Sequence, residues 1–135
     1  MSSLLKISEA AVLALHAMIL LAKRREMHLS VHDIAEKLGA SEHHLAKVMQ
    51  RLTKAGLVVS VRGPRGGFLL SKDAEKANLL DVLTSVDGPV QRPECLLGLC
   101  QCVVPPCILD NTLEDINRLV VEQLKKISLK QYFHS

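Results

Sequence analysis

Apolar positions run almost unbroken from Ala10 to Ala22, with His16 as the one interruption. Ser8, just ahead of the run, is a residue type that caps helix N-termini, so the pattern predicts a first helix reaching about Arg25. A helix this apolar calls for burial on more than one side, by the rest of the domain or by a partner chain. Lys23, Arg24 and Arg25 then fall in its last turn, where they suit the negative end of the helix dipole.

The next stretch is more strongly patterned. Ser30-Val-His-Asp33 has the form of a capping box and starts a second helix through Leu38. Gly39 breaks that helix, and Ser41 caps a third from Glu42 to about Ala55. Ala35 is small, Gly39 stands four residues on, and Ile34, Leu38, Leu45, Val48 and Leu52 are apolar. A helix-turn-helix needs this arrangement: a small residue where the helices cross, glycine at the turn, and branched residues packing the second helix. A generic helical hairpin would share the apolar spacing, so the following segment decides between them.

Gly56-Leu-Val-Val-Ser-Val61 and Phe68-Leu-Leu-Ser-Lys72 read as two β-runs, joined by the turn Arg62-Gly-Pro-Arg-Gly-Gly67. A hairpin directly after a helix-turn-helix is the winged-helix order. Gly66 and Gly67 are expected to let the backbone approach a phosphate or groove wall, while Arg62 and Arg65 supply charge. A short helix from Asn78 to Val86 follows and ends at Asp87-Gly88-Pro89.

Asn111-Thr-Leu-Glu114 then caps a last helix with apolar residues at Leu113, Ile116, Val120, Leu124 and Ile127. That stripe is narrow, as in a helix-pairing seam. A complete winged helix leaves little core for it to join, so dimerisation is the expected use. The fold class is therefore mainly α with a small β-hairpin. Residues 1–88 form the DNA-binding winged helix-turn-helix domain, 89–109 a cysteine-rich loop, and 110–130 a dimerisation helix. The polar end from Gln131 to Ser135 is the one stretch that suggests disorder.

Charge sharpens this picture. Residues 1–72 carry 11 Lys/Arg against 5 Asp/Glu, a net +6, whereas residues 73–135 carry 6 against 9, a net −3. A nucleic-acid surface is expected on the first half only. The longest apolar run falls short of the roughly 20 residues of a membrane span. It also lacks the basic flank and cleavage pattern of a secretory signal, so a cytoplasmic protein without a membrane partner is expected. No nucleophile–base pair is visible, and Gly63-Pro-Arg-Gly-Gly67 lacks the lysine and helix of a phosphate loop, so the chain does not read as an enzyme.

All four cysteines, Cys95, Cys100, Cys102 and Cys107, fall within thirteen residues that also hold Gly98, Pro105 and Pro106. Cysteines used for packing are spread along a core and do not gather in this way. The cluster points to a shared soft ion or metal cluster, or to a thiol pair that changes redox state. Reduced cytosolic thiols favour metal chemistry. Zinc is possible, although the C-x4-C-x-C-x4-C spacing is unlike the paired C-x2-C of zinc ribbons.

Val61-Arg-Gly-Pro-Arg-Gly-Gly-Phe-Leu-Leu-Ser-Lys-Asp73, preceded by Leu45-Ala-Lys-Val-Met-Gln-Arg-Leu-Thr-Lys-Ala-Gly-Leu57, resembles the bacterial winged-helix regulators typified by IscR, NsrR and CymR. The likeness covers nearly the whole chain, and the wing is its most specific part. It implies a homodimer with crossing long helices, reading double-stranded DNA through the third helix and wing. In many members three cysteines before the long helix hold an iron–sulfur cluster; others lack them and sense by other means. Cys95 and Cys107 match the outer ligands by their separation of twelve. The middle ligand would fall at Gln101, flanked by Cys100 and Cys102. The resemblance offers Asp110 and Glu9 as alternative fourth ligands, Glu9 from the partner subunit, beside an all-cysteine set holding a 2Fe–2S or 4Fe–4S cluster. Asp110 is equally a candidate cap for the long helix. His16 lies seven residues after Glu9 on the same helical face, near enough to be a ligand candidate. A lone His in an apolar run is more often a satisfied core residue, so it is left out of the ligands.

In such a regulator, Lys47, Arg51, Lys54 and Arg62 would neutralise phosphates, helped by the Ser41 hydroxyl. Base reading would fall to Glu42, His43 and His44 and to Arg65 at the wing tip. A two-fold dimer implies a pseudo-palindromic operator. The function expected is a repressor switched by cluster gain or loss in response to redox state, nitric oxide or iron–sulfur status. The alternative is a thiol/disulfide regulator without a cluster.

Overall fold

A computed structural model describes residues 7–90 and 110–133 of the 135-residue chain. Its helices are α1 (Glu9–Lys23), α2 (Val31–Leu38), α3 (Glu42–Lys54), α4 (Leu79–Asp87) and α5 (Asp110–Lys126). The strands are β1 (Val58–Val61) and β2 (Gly67–Leu70), and short 3-10 turns cover Asp73–Lys76 and Leu129–Tyr132. This is the mainly helical winged-helix architecture that the pattern predicts.

The caps fall where the sequence places them. Ser8 accepts from the amide of Ala11 at 2.9 Å, and Ser41 from that of His44 at 3.3 Å. Ser30 and Asp33 form a reciprocal capping box, and Asn78 and Asp81 form a second. Each cap satisfies amides that the first helical turn leaves without partners. Gly39 closes α2 in the left-handed conformation, φ 64°, which favours glycine.

Ala14, Ala17, Met18 and Leu21 of α1 meet Ile34 and Ala35 of α2, Leu45, Val48, Met49 and Leu52 of α3, and Val82 of α4 in one core. Burying the Met, Leu, Ile and Val side chains among these is worth about 1.5–3 kcal/mol each before chain entropy is counted. The small Ala35, 3% exposed, lets α2 and α3 cross closely. Only one side of α1 enters this core. Val12, on the other side, is exposed, and so is His16, whose Nδ1 donates to the Val12 carbonyl at 2.7 Å. The expectation of a core histidine is therefore corrected: the imidazole finds its partner within its own helix and faces outward.

β1 and β2 pair antiparallel, with Val58 opposite Leu70 and Val61 opposite Gly67. Leu29 adds a single-residue third strand. Its amide donates to the Phe68 carbonyl at 3.1 Å, and the Phe68 amide donates back at 2.8 Å. An isolated two-stranded hairpin is marginal in water, so this bridge anchors the wing to the α1–α2 connection.

The C-terminal region departs from expectation. α5 begins at Asp110, so Asn111 lies inside the helix and not ahead of it. Leu124 and Ile127 pack against the core, and Leu129 is fully buried within it. The Leu79 amide donates to the Ile127 carbonyl at 2.9 Å, and the Leu129 amide to the Ala77 carbonyl at 3.1 Å. The expectation of little remaining core thus fails for the far end of α5. α1 also stops at Lys23, and Arg25, beyond it, pairs with Glu75 and lies 4.0 Å over the Phe133 ring. Residues 131–133, which read as a polar tail, complete a 3-10 turn under that guanidinium.

Candidate nucleic-acid interface

α3 buries Leu45, Val48, Met49 and Leu52 and leaves His43, Lys47, Gln50 and Lys54 exposed along its opposite side. Spacings of four, three and four residues put these four on one helical face. Gln50 is absent from the sequence-based set. Its spacing from His43 and Lys47 carried the signal, but the charge count that selected the others passes over an amide. His44 is half-buried, unlike His43, so the two adjacent histidines are not equivalent.

Three of the expected DNA-facing groups have partners within the protein. Glu42, the first residue of α3, accepts from Nδ1 of His32 on α2. Arg51 donates from Nη1 to the carbonyl of Val86 at 3.0 Å, tying α3 to the last turn of α4. The Ser41 hydroxyl already accepts from the His44 amide as the helix cap.

In the wing, Arg62 and Arg65 are exposed. The Arg65 carbonyl accepts from Nε2 of His28, so a ring on the α1–α2 connection holds the wing tip in place. Gly66 and Gly67 have a role within the chain itself. A Cβ on Gly66 would stand 2.4 Å from the Val61 carbonyl oxygen, and one on Gly67 would stand 2.5 Å from that of Leu29. These glycines let the backbone approach its own chain, forming the tight wing turn and the Leu29 bridge.

The four cysteines lie outside the described residues, and of Asp110 only its place at the start of α5 is described. The residues flanking the cysteine segment are informative. Ser8 donates from its hydroxyl to Asp87 Oδ1 at 2.6 Å, joining the start of α1 to the end of α4. Glu9 is exposed and directly follows Ser8, the residue that forms this junction with the end of α4. The last turn of α4 therefore touches both the helix carrying Glu9 and, through Val86, the helix carrying the basic face.

A helix-turn-helix with a basic exposed face, followed at once by a pinned β-wing bearing two arginines, defines a winged-helix DNA-binding protein. The chain belongs to the Rrf2 family, described as an iron-dependent transcriptional regulator, which it matches over residues 7–135. It is 32% identical over 126 residues to an Aquifex aeolicus protein described as an HTH-type transcriptional regulator, covering 91% of this chain and 88% of that one. It is 39% identical over 100 residues to the HTH-type transcriptional regulator IscR of Yersinia enterocolitica, covering 73% of this chain and 60% of that IscR. Among solved structures it resembles CymR, described as the global cysteine regulator of B. subtilis, with 30% identity, a TM-score of 0.77 and coverage of 96% and 97% of the two chains. T. potens IscR superposes with 29% identity and a TM-score of 0.71, covering 93% of this chain and 83% of that one. The resemblance seen in the wing sequence is thereby borne out, and the family is one of transcriptional regulators, not enzymes.

Proposed function

We propose that the chain is a cytoplasmic, homodimeric repressor whose operator binding responds to an iron–sulfur cluster held by Cys95, Cys100, Cys102 and Cys107. The observation that carries this reading is the gathering of every cysteine between α4 and α5, in a family described as iron-dependent. Four thiolates are a donor set that iron takes in both 2Fe–2S and 4Fe–4S clusters, so the residues present fit the group. Three cysteines with Glu9 or Asp110 form the second candidate set. When bound, the cluster supplies thiolate-held iron that oxygen, nitric oxide or iron scarcity can remove.

The chain's own residues provide the rest. Lys47, Lys54 and Arg62 neutralise backbone phosphates, while His43, Gln50 and Arg65 at the wing tip meet base edges. The last turn of α4 precedes the cysteine segment and holds Arg51 of α3, so a shift at that turn reaches the reading helix directly. The dimer reading is supported by exposed apolar residues, Leu119 at 56% and Ile116 at 39%, on the part of α5 that does not join the core.

A second reading, a thiol/disulfide regulator without a cluster, is supported by similarity to CymR. One such neighbour is the oxidized form of Staphylococcus aureus CymR, at 27% identity and a TM-score of 0.76. The absorption spectrum of protein purified without oxygen, with iron and sulfide analysis, separates the two. Brown protein with similar amounts of iron and sulfide, bleached in Cys95→Ala and Cys107→Ala, supports the cluster. Colourless, iron-free protein that loses two titratable thiols on oxidation supports the thiol switch.

A further inference from the structure

His32 stands on α2 with a carboxylate at each ring nitrogen: Glu42 of α3 at Nδ1, and Glu36 of its own helix 3.9 Å from Nε2. Both nitrogens can donate only when the ring is the imidazolium cation. Asp33, the next residue, adds a third negative charge. The hydrogen bond to Glu42, then the charges of Glu42, Glu36 and Asp33, hold the imidazole's pKa above its ordinary value. All three side chains of the His32–Glu36–Glu42 group are well exposed, so no burial requirement explains the pairing. Its position is the telling feature. Glu42 is the first residue of α3 and lies one residue before His43, on the end of the helix assigned to reading DNA.

We propose that His32 is a specificity-determining positioning residue for DNA binding, which holds the Glu42 carboxylate against α2 and so governs its access to the DNA. The inference rests on α3 being the reading helix. A free carboxylate at this site repels phosphates on any sequence, yet can accept from the N4 amine of a cytosine. Pairing with the imidazolium cancels its charge and occupies one of its oxygens. His32 thus lowers general repulsion and reduces the weight given to cytosine at one position of each half-site, without touching DNA itself.

The test is a double-mutant cycle on the full chain with His32→Ala, Glu42→Gln and both together. The probes are random-sequence duplex and duplexes recovered by selection from a random pool. His32→Ala is expected to weaken binding to random duplex by about threefold, the scale of an exposed ion pair, and to raise the selected frequency of cytosine at one half-site position. In the Glu42→Gln background the same change is expected to do neither. Comparing about pH 6 with about pH 8 gives a further readout: the His32→Ala effect shrinks as the ring loses its proton. His43 and His44, in the first turn of α3, are present in every variant, so the cycle subtracts their contribution. An equal effect of His32→Ala in both backgrounds, or none in either, overturns the inference while leaving the DNA interface standing. Failure of the unaltered protein to bind any duplex overturns the interface itself, and this inference with it.

Discussion

Arg51, in the last turn of α3, donates from its guanidinium to the carbonyl of Val86, in the last turn of α4, at 3.0 Å. The residue read from sequence as a phosphate contact therefore also closes the end of α4, where unpaired carbonyls otherwise face water. One turn of α4 meets two other helices, since the neighbouring Asp87 accepts from the Ser8 hydroxyl.

Replacing two of the three cations of α3, Arg51 and Lys47, should separate these roles. Arg51→Ala is expected to lose about 1 kcal/mol of stability, the net worth of one such hydrogen bond. Lys47→Ala should leave the urea midpoint unchanged and lower the salt dependence of duplex binding by about one counterion. Equal stability losses for both variants would remove the distinction.

Gly67 gives a sharper structural test. Gly67→Ala places a methyl group against the Leu29 backbone, so the bridge between Leu29 and Phe68 has to open. A loss of about 1–3 kcal/mol is expected, with faster amide exchange at Leu29 and Phe68. Retained protection of those two amides would show that the wing does not depend on the close approach.

The start of α2 predicts opposite pH dependences for two neighbours. The Ser30 amide, then its hydroxyl, hold the Asp33 carboxyl below its ordinary 3.8. Its stabilising contribution is therefore present above that value and lost as pH falls through the lowered one. His32 is raised from 6.5, so its contribution is present below that value and lost as pH rises through the raised one. NMR titration should show Asp33 moving up in Ser30→Ala and His32 moving down in Glu42→Gln. An unmoved His32 would mean that Glu42 does not hold the ring.

Leu119 tests the proposed dimer. As the most exposed apolar side chain described on α5, it tolerates a charge in the monomer but not in an apolar interface. Leu119→Glu should convert a dimer to a monomer in light scattering while keeping its helical circular dichroism. A Leu119→Glu dimer would place the interface elsewhere.

Most of the fold is legible because its boundaries are written locally. Ser8, Ser30, Ser41 and Asn78 each cap within three residues of themselves, and the wing announces itself by its turn. What escapes the sequence is contact between distant segments. Nothing local marks Leu29 as a strand partner of Phe68, or Leu129 as core. The candidate interface divides in the same way. Helical spacing finds His43, Lys47 and Lys54, and by the same rule would have found Gln50. The capture of Glu42 by His32 and of Arg51 by Val86 depends on how neighbouring helices cross, which composition and spacing do not specify.

The backbone bridge between Asn78 and Ser128 has a thermodynamic consequence for the cysteines. It shuts the chain into a ring at the base of α4 and α5, and the two helices pack on each other above that closure. The cysteine segment is thus joined at both ends to helices that are already held together. Closure entropy grows with the logarithm of span length, so drawing those thiols together costs less than it would on an open chain.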